Sequence, residues 1–148
     1  MNKKKNIAQE FLLQVKLCDK HIDNKIEDLA HLKALTKKIT SAWGTEPVSG
    51  SRSQDKLGDA IAKIVDMEQE INDAVDKYVD KKNEVRALLE KVKDADQLDL
   101  LYKVYFQYET LEQVSCEMNM SYRNACYIHG RALQTVEALL KGEIVNAV

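Results

Sequence analysis

Proline occurs once and glycine five times in 148 residues, so the chain has few places to turn and long stretches in which nothing interrupts a helix. No apolar run approaches the roughly 20 residues that a bilayer-crossing helix needs, and no contact with a membrane is expected. The opening MNKKKNIAQE passes into an amphipathic pattern without the apolar stretch and cleavage site of a secretory signal, so the expected location is cytoplasmic. Cysteine appears three times, at Cys18, Cys116 and Cys126, an odd number without a CxxC pair. That argues against a disulfide framework and for reduced thiols. A glycine-rich phosphate loop, GxSxG and HExxH are all missing, so neither an enzyme nor a cofactor is expected.

What is present is helix-forming: 45% hydrophobic and 31% charged residues in a turn-poor chain predict an all-α protein. From Ile7 to Trp43 the apolar residues Phe11, Val15, Cys18, Ile22, Ile26, Leu29, Leu32, Leu35 and Ile39 recur three or four apart, one face of a long helix. GTEPVSGSR, from Gly44 to Arg52, holds the only proline and reads as a loop. A second helix is expected from Ser53, its N-cap, to about Lys93. Its positions Leu57, Ile61, Ile64, Glu68, Ile71, Val75, Tyr78, Lys82, Val85, Leu89 and Val92 alternate by four and three, and only Glu68 and Lys82 break the seam. Each segment would be roughly 50 to 60 Å long at 1.5 Å per residue, and neither can bury its stripe alone. A long antiparallel, coiled-coil-like hairpin over residues 1–95 is the economical solution. His21 and His31, without a second ligand at suitable spacing, are surface residues rather than metal ligands.

A separate module is expected over residues 96–148. Asp96 can cap a helix from Leu98 to Phe106, with Leu98, Leu101, Tyr105 and Tyr102 as its inward candidates. After a turn at Gln107 to Glu109, Thr110 and Gln113 have capping-box spacing. The helix they open carries Leu111, Val114 and Met118 and ends at Asn119, a residue tolerant of left-handed backbone. Met120 plugs the turn, and Ser121 caps a third helix with Ala125, Ile128, Ala132, Leu133, Val136 and Leu140 inward and a stop at Lys141 and Gly142. Two short helices joined by a three-residue turn, with the small Ser115 where they cross, form the helix-turn-helix pattern.

Between Thr110 and Leu133 the chain resembles the fourth conserved region of bacterial sigma factors, which binds the promoter −35 element. The opening Thr-Leu-Glu-x-Val, Ser115, the Asn-Met-Ser turn and the pair Ala132 and Leu133 fall in place without a gap. The layout of the whole chain, with its long helices, its LLYKVYF helix and its SYRNACYIHGRAL tail, is similar to a family of small sigma-like proteins encoded by phages and prophages of Gram-positive bacteria. The resemblance implies a transcriptional regulator that binds double-stranded DNA. It also implies that Tyr122, Arg123, Cys126 and Tyr127 form the major-groove surface, with Ser121, Arg131, Thr110 and Lys103 near phosphates.

The chemistry of these residues can be weighed one by one. A guanidinium at Arg123 can make a bidentate contact to guanine, and Asn124 can read adenine. Tyr122 and Tyr127 can pack on thymine methyls or bond phosphates, or else serve as partner-binding or core residues. Cys126 and His129 stand three apart, but without a second pair no metal is expected, and His129 reads as a surface or phosphate-proximal residue.

The net charge of −2 is unevenly spread. Residues 1–40 hold nine lysines against five acids, whereas from Leu98 onward four basic residues face six acids. A module with so few cations binds DNA weakly unless homo-oligomers present it twice through the hairpin, or Lys3 to Lys5 and the first helix add contacts. Two other readings stay open: a module that docks on RNA polymerase or another host protein, and a DNA-packaging component of the small-terminase kind.

Overall fold

A computed structural model of the chain describes residues 6–42 and 51–146. The described residues form α1 (Ile7–Ala42), α2 (Ser51–Leu89), α3 (Ala95–Tyr105), α4 (Leu111–Glu117) and α5 (Tyr122–Asn146), with no strand among them. The all-α expectation is met. Asn6 opens α1 by accepting from the backbone N–H groups of Ala8 (3.1 Å) and Gln9 (3.3 Å). The expected loop lies, for residues 44–50, outside the described residues. Ser51 and Arg52 already belong to α2, so Ser53 lies inside the helix rather than at its cap.

Two further boundaries differ from the expected ones. The cap of α3 is Asp94, not Asp96: its carboxylate accepts from Asp96 N (3.0 Å) and Gln97 N (3.1 Å), and Ala95, a strong helix former, takes the first helical position. Gly142 does not stop α5, which runs to Asn146. One glycine inside a helix costs only about 1 kcal/mol, too little to end a helix anchored by its earlier turns.

The chain divides into two compact units. One is Cys18–Lys77, the other Met1–Leu17 with Tyr78–Val148. In the first unit, α1 and α2 are linked by ion pairs from Lys25 to Glu70 (3.0 Å) and from Lys33 to Glu68 (3.3 Å). Glu68, one of the two breaks in the seam, is a surface partner of Lys33. Ile22 is buried and Leu29, Leu32, Ile64 and Ile71 are half-buried, but Ile26, Leu35, Ile61 and Val75 are exposed. Two helices facing each other cover only the line where they meet, and the expected stripes are wider than that line.

The second unit holds the main core. Ala8, Leu12 and Val15 from α1, Val85, Leu88 and Leu89 from α2, Leu101 and Tyr105 from α3, and Ala132, Leu133 and Val136 from α5 form one buried cluster with Val92. Lys82, the other break in the seam, turns its ammonium toward the rings of Tyr78 (5.4 Å) and Phe106 (5.8 Å). A smaller cluster of Leu100, Val114 and Ala125 lies under α4 and the start of α5, bordered by Val104, Leu111, Met118, Met120 and Ile128.

Candidate nucleic-acid interface

The local chemistry of residues 110–125 fixes how α5 is presented. Thr110 Oγ1 accepts from Gln113 N (3.2 Å) while Gln113 Oε1 accepts from Thr110 N (2.9 Å), the reciprocal capping expected for α4. Ser115 is buried, and its hydroxyl donates to the carbonyl of Glu112 (2.7 Å). The chain then reverses. Asn119 adopts φ +54°, and Met120 N donates back to Ser115 O (2.9 Å). An asparagine tolerates that left-handed position where a branched residue would be strained. Ser121 Oγ accepts from Asn124 N (3.1 Å) and caps α5.

Ala125 is fully buried beneath this junction, so the residues on the other side of α5 face outward. Tyr122 is 53% and Tyr127 58% exposed, and Ser121, Arg123, Asn124 and Arg131 are exposed as well. Arg123, Tyr127, Gly130 and Gln134 recur at helical spacing along one exposed line. Tyr127 and Arg131 form a unit: Arg131 donates to the Tyr127 hydroxyl (2.7 Å) and its guanidinium lies 5.6 Å from the ring centre. Arg123 makes no hydrogen bond or ion pair with the described residues. Asn124 directs its amide toward the Met120 sulfur (3.8 Å), back over the turn. Cys126 is half-buried rather than fully on the expected surface, and its side chain raises the pKa of the neighbouring Tyr122 phenol.

The residues expected near phosphates divide. Thr110 is exposed, but its hydroxyl oxygen is occupied by the α4 cap. The side chain of Lys103 is only 20% exposed, and its ammonium donates to Glu117 (2.8 Å), which raises its pKa. Glu109 completes this acidic cluster. Burial, then the adjacent Glu117 carboxylate, raises the Glu109 pKa, while Lys103 holds that of Glu117 below the usual range. Lys141 is paired with Glu137 (3.0 Å). Arg123 is thus the cation from Leu98 onward that is left unengaged among the described residues. Beside Arg131, an open groove of about 220 Å³ is lined by Asp94, Asp96, Gln97, Tyr127, Ile128 and Arg131.

His129 is half-buried, not a surface residue. Its Nε2 lies 2.7 Å from the Tyr105 hydroxyl and its ring stacks on the tyrosine at 5.8 Å. Burial lowers the His129 pKa and pushes that of Tyr105 up to about 12. A histidine easier to protonate unfolded than folded gives stability that is full above its unfolded pKa, near 6.5, and is lost as pH falls through the lower folded value. Thermal melts should therefore fall between pH 7 and 5 in the native chain, with a shallower fall in His129→Asn. Parallel curves would remove His129 from the account.

Gly130 lies mid-helix on the exposed line, where an added Cβ would meet nothing within 4 Å. Packing gives no reason for glycine here. Gly130→Ala should raise stability by about 1 kcal/mol, from helix propensity alone. Denaturant titration reads this directly, and a loss of stability would mean that the helix is not continuous at this point.

Among the described residues, no group of three or more His, Cys, Asp or Glu side chains is placed to hold a metal ion, and no helix is long and apolar enough to cross a membrane. His21 and His31 are both exposed. A family model described as "Protein of unknown function (DUF1492)" matches residues 38–137, from the last turn of α1 to Glu137 in α5. No curated protein and no solved structure matches the chain.

Proposed function

The chain belongs to the DUF1492 family, whose function is unknown, and from the geometry of its C-terminal helices we propose that it is a cytoplasmic helix-turn-helix regulator of phage or prophage genes. In this reading α5 enters the major groove of double-stranded DNA. The observation that carries it is the junction of α4 and α5: a capped helix, a left-handed turn at Asn119, and a second capped helix held by buried Ala125 with the unengaged Arg123 facing out. Arg123 is the base-reading group, Tyr122 and Tyr127 supply apolar and hydroxyl contacts, and Ser121 and Arg131 meet phosphates. Lys103 and Thr110 have lesser roles, since Glu117 and the α4 cap already engage them.

The ion pairs Lys25–Glu70 and Lys33–Glu68 run in opposite senses along α1 and α2, which suits an antiparallel hairpin. Its exposed Ile61 and Val65 suit self-association, and two copies would present two recognition helices to paired half-sites. A second reading is favoured by Asp94 and Asp96 beside Arg131: they suit a basic protein surface, such as one on RNA polymerase, better than a phosphate backbone.

Fluorescence anisotropy against duplex DNA at low and physiological salt separates the two. DNA binding that weakens steeply with salt supports the regulator. Absence of binding at low salt, together with copurification of polymerase, would replace it with the docking module.

A further inference from the structure

Lys82 and Arg86 stand one turn apart near the end of α2, and both cations lie over the ring of Phe106, at 5.8 and 5.9 Å from its centre. Neither has a carboxylate within ion-pair distance among the described residues. Lys82 approaches the Tyr78 hydroxyl (3.4 Å), and Arg86 reaches Asn83 Oδ1 at 3.5 Å. Lys25, Lys33, Lys81, Lys103 and Lys141 have acidic partners, whereas Lys82 and Arg86 place two cations without one on a single ring. Like charges at i and i+4 repel; contact with the rings offsets that repulsion but leaves both charges without a counter-charge.

The pair is mounted on buried turns of α2. Val85, Leu88 and Leu89, on the same turns of α2, are buried in the main core, and Phe106 packs against that core. Phe106 also caps the C-terminus of α3 and leads within four residues to Thr110, the N-cap of α4. Their backbone positions are about 6 Å apart along the helix axis, so the ammonium and the planar guanidinium can each meet a neighbouring phosphate of one strand.

We propose that Lys82 and Arg86 form a backbone-phosphate contact for nucleic acid, supplying charge that α3 to α5 lack. The inference rests on the DNA-binding reading and adds a contact outside the sigma-like segment. It replaces the first helix as the source of the extra positive charge.

The test is the salt dependence of duplex binding by the full chain. Each lost phosphate contact flattens the log–log salt slope by about 0.9, so K82Q/R86Q should flatten it by about 1.8. The fall in affinity between 50 and 200 mM salt should then be about tenfold smaller than in the native protein. The charge-keeping swap K82R/R86K should retain the native slope. So should K37Q/K38Q, which removes equal charge from exposed positions of α1. Circular dichroism confirms that each variant is folded.

A native slope in K82Q/R86Q would overturn the inference and leave the DNA reading standing, as would equal flattening by K37Q/K38Q. No duplex binding by the native chain at 50 mM salt would overturn both. Binding of the pair to anionic vesicles in preference to DNA would likewise remove the assignment to nucleic acid.

Discussion

Arg123→Ala should weaken DNA binding by about 1–3 kcal/mol, roughly five- to 150-fold, without lowering the melting temperature. The second half follows from the structure: Arg123 is exposed and makes no hydrogen bond or ion pair with the described residues, so truncation opens no cavity and strands no buried partner. It also removes a cation from the first turn of α5, where the helix dipole disfavours positive charge. A residue that the fold does not need, in a position slightly unfavourable for it, is one whose loss shows in binding. The loss should depend on sequence, large on a cognate site and small on random duplex. Arg131→Ala should instead weaken both about equally, because a phosphate contact carries no base information. Equal effects of the two substitutions on random DNA would place Arg123 on the backbone. An unchanged affinity in both would move the interface away from α5.

The parts of this architecture that were legible in the sequence are those with local causes. The Thr110 and Gln113 cap, the left-handed Asn119 and the Ser121 cap each follow from a side chain within a few residues of the backbone group it satisfies. Features decided by distant neighbours were not. A boundary near residue 95 follows the change in composition, yet residues 1–17 and 78–148 make one compact unit. Nothing in the spacing of Ala8 and Leu12 shows that they meet α3 and α5. His129 has the local surroundings of a surface residue, and its burial against Tyr105 comes from a helix 24 residues earlier. Lys103 reads as an available cation until Glu117, 14 residues on, closes on it. The line of apolar residues on α1 and α2 gave the helices but overstated the seam, because periodicity marks a face and not how much of it a partner covers.

Leu100 shows the same limit and gives the prediction with the largest effect on stability. The inward candidates of α3, Leu98, Leu101, Tyr105 and Tyr102, omit Leu100, which is fully buried with Val114 of α4 and Ala125 of α5. Leu100 lies toward a second cluster, so α3 is apolar on two sides and a single stripe does not describe it. Leu100→Ala should cost about 2–5 kcal/mol, set by how far α4 can collapse into the space. That is a large share of the roughly 5–15 kcal/mol by which a domain is stable. The loss should be uneven. α5 is also held through Ala132, Leu133 and Val136 in the main core, whereas the buried apolar residue of α4 is Val114, in the small cluster. Hydrogen exchange should therefore show protection lost first at α4 and the opening turn of α5, with α2 and the later turns of α5 retained. DNA affinity should fall with it although Arg123 is untouched, because α5 then has to be ordered on binding. Leu100→Met, which nearly conserves volume, should cost under about 1.5 kcal/mol and keep both the protection and the affinity. A uniform loss of protection across α2 to α5 would mean that the two clusters unfold as one, and that α4 has no separate hold on the orientation of α5.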